Sequence, residues 1–147
     1  MFIREASQQD VPIVYRLQRQ MLAEDGIYGF VAETFEQIEK AINPYFLIAE
    51  TGGEIIGFIS GDVSVSDGSA VVPKGEKYLE IENLYVAPEF RKQGVGGRLV
   101  DEALTKAREN GASYAMLYSA SKDVHGILKF YERHNFQSWY VQMFQKL

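Results

Sequence analysis

A chain of 147 residues predicts a single domain, residues 1–147, with room for a substantial core. Its 46% hydrophobic and 24% charged residues are typical of a globular protein, and its net charge of −5 argues against general nucleic-acid binding. The same acidic balance slightly favours a cationic partner. Because the chain has no cysteine, a disulfide framework, a thiol nucleophile and a thiolate metal site are excluded.

The sequence carries no signal for a membrane. Residues 1–10 lack the apolar core of a signal peptide, and no stretch of about 20 residues is continuously apolar. We therefore expect a cytoplasmic protein with no membrane contact.

Hydrophobic periods and turn residues predict a mixed α/β layer fold with the element order β-α-α-β-β-β-α-β-α-β. The predicted strands are residues 2–4, 45–50, 55–65, 78–86, 114–119 and 139–146, and the predicted helices are residues 7–24, 34–42, 95–110 and 124–133. Residues 51–54, Thr-Gly-Gly-Glu, are typical of a tight hairpin. The last strand is apolar on both faces, which indicates a contact with a second copy of the chain in a homodimer.

The central segment, residues 78–110, reads as a strand, a glycine-rich basic loop and an amphipathic helix. A helix start has free backbone N–H groups and a partial positive charge, and glycines let an anion come close to them. Three glycines and three cations crowd this junction: Gly94, Gly96, Gly97, Arg91, Lys92 and Arg98. We therefore expect the loop to bind a phosphate or pyrophosphate group.

The sequence motifs of two familiar phosphate-binding loops are absent. The segment lacks Gly-x4-Gly-Lys-Ser/Thr of nucleoside triphosphatases and Gly-x-Gly-x-x-Gly of dinucleotide-binding folds. Residues 91–96, Arg-Lys-Gln-Gly-Val-Gly, instead resemble the Arg/Gln-x-x-Gly-x-Gly/Ala signature of the GCN5-related N-acetyltransferases, the GNAT superfamily. Residues 84–90 and 130–136 are similar to that family's fourth strand and late Tyr-x-x-x-Gly-Phe segment, and the element order is also the family's.

This resemblance implies a mixed, mostly antiparallel central sheet flanked by helices, with acetyl-CoA as acyl donor. Loop amides of residues 92–98 would hold the pyrophosphate, and the fourth-strand backbone at Leu84 and Val86 would pair with the pantetheine arm. The acetyl group would lie where the fourth and fifth strands splay apart. The donor-binding residues expected on this basis are Leu84, Tyr85, Val86, Arg91, Lys92, Gln93, Gly94, Val95, Gly96, Gly97 and Arg98.

Acetyl transfer to an amine needs a neutral nucleophile, and at a pKa of about 10.4 only roughly one lysine-type amine in a few thousand is neutral at pH 7. Strand alternation places Glu80, Glu82 and Leu84 on one face, so the two carboxylates are candidate proton acceptors. Glu82 is the preferred base, and Glu80 or water remains the alternative. By resemblance, Tyr131 would donate a proton to the leaving thiolate and the Val86 amide would bind the oxyanion.

Two positions depart from the family pattern. The asparagine often found seven residues before the late tyrosine is Val124 here, preceded by Asp123, which puts a pantetheine contact from that helix in doubt. The family's glycine before phenylalanine is Asn135, which tolerates the left-handed conformation of a helix end. By the same resemblance, Tyr28 and Phe30 would line the acceptor pocket.

The sequence therefore predicts an acetyl-CoA-dependent N-acetyltransferase that acts on a primary amine of a small molecule or peptide, with no bound metal. The acceptor could be a polyamine, an amino acid, an aminoglycoside-like antibiotic or a peptide amine. An acyl-CoA-binding sensor or regulatory module of the same fold, without turnover, remains the alternative.

Overall fold

Four helices flank one five-stranded sheet in the computed structural model, which describes residues 1–147. The strands are β1 (Phe2–Glu5), β2 (Leu47–Thr51), β3 (Glu54–Val65), β4 (Lys77–Val86) and β5 (Tyr114–Leu117). The helices are α1 (Val11–Ala23), α2 (Phe35–Ala41), α3 (Val95–Glu109) and α4 (Val124–Glu132). None of the helices combines the length and the apolar character that a membrane crossing requires.

The sheet has the strand order β1-β2-β3-β4-β5. Neighbouring strands run antiparallel except β4 and β5, which run parallel because α3 carries the chain back between them. The hairpin between β2 and β3 turns at Gly52 and Gly53, whose φ angles of 57° and 80° suit a two-residue reverse turn. The predicted mixed, mostly antiparallel sheet with flanking helices is confirmed.

Each face of the sheet is covered by one helical layer. On one face α1 and α2 bury a cluster that includes Phe46, Phe58 and Tyr85. On the other face α3 buries Leu99 and Val100 against the sheet, and aromatic residues of α4 pack at the margin of this second cluster. The two faces of β4 are therefore covered by different helices, α1 and α2 on one face and α3 and α4 on the other. Which face a β4 side chain lies on determines which residues it can meet at the strand edge.

The predicted last strand is wrong, because residues 137–147 form no helix or strand. A period-two apolar pattern becomes a strand only where a neighbouring backbone supplies a hydrogen-bonded ladder, and β5 pairs with β4 alone. Much of the segment is exposed, with Met143 at 88% and Phe144 at 82% of their full accessibility. The ring of Phe144 instead packs edge-on against Tyr28, with centroids 5.8 Å apart.

Candidate active site

The open edge of β4 is the centre of the candidate site. The parallel ladder between β4 and β5 ends at the pair Ile81 and Leu117, while β4 continues to Val86. Against β3, Ile81 pairs with Gly61 and Asn83 with Ser60, so that Glu82 is the extra residue of a β-bulge. Beyond Ile81 the strand therefore has a partner on one side only, as expected for the place where these strands splay apart.

The backbone direction along this edge follows from the ladder with β3. Ala87 N–H donates to Ile56 O at 2.9 Å, so alternation turns the polar groups of Tyr85 towards β3 and those of Leu84 and Val86 towards the open edge. Val86 O accepts a bond from Arg91 Nε at 2.8 Å on that side. Leu84 and the N–H of Val86 thus present free backbone groups at this edge, whereas the backbone of Tyr85 faces β3 and its side chain is buried under α1.

Backbone N–H groups of residues 92–97 have no acceptor in the protein. Lys92 and Gly94 both adopt left-handed φ angles, 61° and 80°, which turn successive amides to one side of the loop and into the start of α3. Arg98 differs from the expectation, because its amide donates to Gly94 O at 3.1 Å within the first helical turn. The free backbone amides of the loop are therefore those of residues 92–97.

The cations of this loop do not all face the free amides. The Arg91 guanidinium is paired with Glu24 and bonded to Val86 O. The Arg98 side chain lines an open cleft of about 410 Å³ between β1 and α3, together with Phe2 and Asp101. Lys92 is exposed and forms no ion pair in the structure. The predicted concentration of three positive charges on one anion is therefore not the arrangement that the structure favours.

Other motif residues have packing roles that the sequence did not indicate. Val95 is buried under the sheet, and the Gln93 side chain donates to Glu89 O at 3.1 Å. A Cβ at Gly97 would lie 3.2 Å from the His134 ring, so this glycine admits α4 onto the first turn of α3. Gly96 similarly faces the Phe130 ring. Both helical glycines of the motif thus serve the contact between α3 and α4.

The bulge divides the predicted catalytic face. Leu79 and Ile81 are buried on the α3 face, as are the partly buried Leu84 and Val86, because the extra residue reverses the alternation between them. Leu84 therefore does not share a face with the carboxylates, and that expectation is wrong. Glu80, which pairs with Asp62, and Glu82 lie on the α1 and α2 side instead.

Glu82 is exposed, and other carboxylates lie near its own carboxyl group. Partial removal from water, and then the negative charges of Glu33, Glu80 and Asp62, raise the pKa of Glu82 above its ordinary value of 4.5. A carboxylate with a raised pKa is a stronger base than an ordinary one. The local charges thus suit Glu82 for accepting a proton and for attracting a cation.

Glu33 is a residue of the candidate site that the sequence analysis did not identify, and its negative charge acts on Glu82. It precedes α2, and its backbone N–H donates to Gln18 Oε1 at 2.8 Å while Gln18 Nε2 donates to its carboxylate. Arg19 also donates to Glu33 O. A fully buried glutamine on the apolar face of α1 was the available signal, since a buried amide requires a partner.

Tyr131 lies in the layer under α3, where its ring contacts Phe130 and Phe136 with centroids 4.9 and 5.4 Å away. Burial alone raises the pKa of Tyr131 to about 12. A thiol has a pKa near 8.5, so the phenol is a weaker acid than a thiol by more than about a thousandfold. It therefore fits a hydrogen-bond donor to a thiolate better than the full proton donor that the sequence led us to expect.

The α4 start and end match their sequence signals. Asp123 caps the helix by accepting a bond from Gly126 N–H at 3.0 Å, and Val124 is exposed. Because its carboxylate is used as a cap, Asp123 does not present a free replacement for the family's asparagine. Asn135 has a φ of 64°, as predicted for the turn that closes the helix.

The loop after α1 lies beside the chain that follows β5. Tyr28 N–H donates to Ala120 O at 2.9 Å, and the Lys122 ammonium lies 5.4 Å from the Tyr28 ring. Tyr28 is 55% exposed, whereas Phe30 packs against the cluster under α1. Of the two predicted acceptor residues, Tyr28 is thus the one with a large free surface.

An open strand edge beside a glycine-rich helix start, with carboxylates on one face and a tyrosine on the other, is the arrangement expected of an acyl-CoA acyltransferase. The sequence profile described as the Acetyltransferase (GNAT) family matches residues 12–136. The chain belongs to this family of acetyltransferases.

Individual relatives agree with this assignment. An uncharacterized N-acetyltransferase, YhfO of Bacillus subtilis, is 33% identical over 76% of this chain and 74% of its own length. A predicted acetyltransferase with acetyl-CoA from Clostridium acetobutylicum has a TM-score of 0.73 at 19% identity, covering 99% of this chain and 95% of that one. The aminoglycoside acetyltransferase meta-AAC0020 from an uncultured soil metagenomic sample, in complex with sisomicin, gives the same values. The chain spans about half the length of the first archaeal relatives that it matches.

Replacing Gly94 by alanine should weaken coenzyme A binding by about fivefold. At a φ of 80° a Cβ meets no neighbour, so the change acts only by disfavouring the left-handed turn, at a cost of about 1 kcal/mol, and by redirecting the free amides. Gly111→Ala is a matched control, since Gly111 has a φ of 87° with the same open surroundings but lies at the far end of α3. Calorimetry should show weaker binding for the first variant alone. Equal affinities would contradict an anion site at this loop.

Proposed function

We propose that this protein transfers an acetyl group from acetyl-CoA to a primary amine by direct attack, with Glu82 as the general base. The observation that carries the proposal is the run of unpaired amides at residues 92–97 beside an open β4 edge that bears Glu82. The family membership supports acetyl transfer in general. The donor, the acceptor and the residue roles are our inference.

The donor fits the backbone of this site. The unpaired amides at the start of α3 suit a pyrophosphate, since they carry partial positive charge and need acceptors. The polar groups of Leu84 suit an extended amide-containing arm that pairs like an added strand, which leaves the N–H of Val86 for the reacting acyl group. A neighbour of the same fold was solved with acetyl-CoA, which is consistent with this donor.

The reaction forms a bond from nitrogen to the acetyl carbon and breaks the bond from that carbon to sulfur. Glu82, directly or through water, takes a proton from the ammonium before attack or from the attacking amine as the nitrogen–carbon bond forms, and a general base of this kind contributes about 100-fold or more. The Val86 N–H is positioned for the oxyanion, since it points to the open edge. Tyr131 donates a hydrogen bond to the departing thiolate, which leaves as the anion. Glu80 remains the alternative base.

The acceptor is best described as a cationic amine of a small molecule or peptide. Glu33, Glu80, Glu82 and Asp62 place four carboxylates on one side of the edge, and their mutual repulsion is relieved by a positive charge. The exposed Tyr28 ring, with Phe30 behind it, would form a wall of this acceptor pocket. The structural neighbour bound to sisomicin acts on an aminoglycoside, which is a polycationic amine.

The deciding experiment combines donor binding with turnover. Coenzyme A at about 100 times its dissociation constant should raise the free energy of unfolding by about 2.7 kcal/mol. Thiol release from acetyl-CoA should then be fastest with polyamines or aminoglycosides, slower with neutral amino acid esters, and slowest with amines that carry a carboxylate. Added salt should reduce the preference for polycations. No stabilisation at millimolar coenzyme would contradict the donor site, and equal rates across the amine panel would contradict a cationic acceptor.

Glu82→Gln should lower kcat by about 100-fold while the affinity for coenzyme A is retained, because the amide cannot accept the proton. In the wild type, kcat/KM should fall as the pH drops through the pKa of Glu82, which lies above 4.5, and this acid limb should be absent in the variant. Glu80→Gln is the matched control on the same face. Rates that are unaffected by Glu82→Gln and reduced by Glu80→Gln would transfer the base role to Glu80.

A non-catalytic acyl-CoA sensor is the second candidate. It is favoured by the capping role of Asp123, because α4 then lacks a polar contact with the acyl-CoA, and by the low acidity of Tyr131. The same panel separates the two functions. Binding of coenzyme A without thiol release from any amine would support the sensor.

We also propose that residues 137–147 contact a second copy of the chain. This segment exposes Trp139, Val141, Met143 and Phe144, and the outer edge of β5 has no strand beside it. Light scattering at high concentration should therefore report a dimer, and the double variant Met143→Ser, Phe144→Ser should shift it to a monomer. Leu22→Ser, at an exposed apolar residue of α1, is the control. A monomeric wild type would contradict the proposal.

A further inference from the structure

The Arg91 side chain bridges three parts of the molecule, although it is 41% exposed. Its Nη1 and Nη2 atoms donate to the two carboxylate oxygens of Glu24 at 2.7 and 2.8 Å, and its Nε donates to Val86 O at 2.8 Å. The guanidinium also lies 5.3 Å from the Tyr85 ring, and the Tyr85 hydroxyl donates to Glu24. Together these contacts restrict the position and orientation of the guanidinium group.

The position of Glu24 in the chain gives this network its significance. Glu24 directly follows α1 and precedes the loop that carries Tyr28, while Arg91 directly precedes the free amides of residues 92–97. The bidentate geometry is the strong form of a carboxylate–guanidinium contact. The Arg91 guanidinium accordingly lowers the pKa of Glu24, so the carboxylate stays charged at neutral pH. The two loops are therefore joined by a contact between charged side chains far apart in sequence.

We propose that Glu24 is a positioning residue for donor binding, which holds Arg91 on Val86 O and so fixes the start of the anion loop. The inference rests on the proposed function, because it assigns Glu24 to the coenzyme site of that reaction. In this role Arg91 acts through geometry, and its charge is balanced by Glu24. The same contact joins the loop after α1, which carries Tyr28, to the loop of residues 92–97, so that the two loops form together.

The alternative is that Arg91 leaves Glu24 and binds the pyrophosphate directly. The two roles predict opposite signs when the carboxylate is removed. If Arg91 is a phosphate ligand, Glu24→Gln frees a cation next to an anion site and should strengthen coenzyme A binding, most clearly at low salt. If Glu24 positions the loop, the same variant should weaken binding although it removes a negative charge.

The experiment measures coenzyme A dissociation constants by calorimetry for Glu24→Gln, Arg91→Gln, the double variant and Glu24→Asp. We expect about tenfold weaker binding for each single glutamine variant, no further loss in the double variant because the pair acts as a unit, and partial recovery in Glu24→Asp. The KM for acetyl-CoA should rise by a similar factor, while the acid limb that belongs to Glu82 stays unchanged. Glu36→Gln, which breaks the exposed pair with Lys40 on α2, is the matched control and should bind normally.

Tighter binding by Glu24→Gln, or additive losses in the double variant, would overturn the positioning role. A wild type that binds no coenzyme A would contradict the proposed function itself, which separates that failure from this one. Thermal unfolding without ligand shows whether a variant has a folding defect. If a glutamine variant unfolds at a lower temperature than wild type, Glu24→Asp is compared with wild type instead. Equal coenzyme A affinity and equal KM for these two proteins would then overturn the positioning role.

Discussion

The candidate site depends on one constraint, which is that β4 loses its parallel neighbour at Ile81 while it keeps its antiparallel neighbour up to Val86. Backbone groups beyond Ile81 must then find partners other than a strand, since unpaired polar groups in a sheet are costly when they leave water. The bulge at Glu82 falls at the same point and turns an acidic side chain towards α1 and α2. The end of the parallel ladder at Ile81 thus accounts for both features of the candidate site. It leaves a strand edge that can accept an extended ligand, and the bulge beside it positions a carboxylate.

Helix α1 organises the opposite wall of the site. Buried Gln18 holds Glu33 through two hydrogen bonds, and Glu24 at the helix end holds Arg91. One helix therefore sets the position of an acidic residue near Glu82 and of the loop that presents free amides. This arrangement is compatible with the proposed anion site in an acidic chain: the positive potential there would come mainly from backbone amides, and the acidic side chains gather on the other side of β4.

Local features of this fold could be predicted from the sequence, and long-range pairings could not. The Gly52–Gly53 hairpin, the glycine loop and the left-handed Asn135 depend on nearby backbone geometry, and the structure has all three. The side of Leu84 was mispredicted because a bulge is defined by the partner strand. Residues 137–147 have a strand pattern, but no ladder partner is present in one chain. The pairing of Arg91 with Glu24 joins segments whose proximity only the folded chain establishes.

The low acidity of Tyr131 limits the role that this residue can have in the proposed reaction. With a pKa raised to about 12 by burial, the phenol would not give up its proton to a thiolate whose acid has a pKa near 8.5. The thiolate is already a good leaving group at that pKa, so its protonation contributes little. The amine is the more demanding partner, because it must lose a proton at neutral pH from a pKa of about 10.4. In the proposed reaction the carboxylates of β4 would act on the amine, where the larger barrier arises, and the buried tyrosine would act on the smaller one by donating a hydrogen bond to the thiolate.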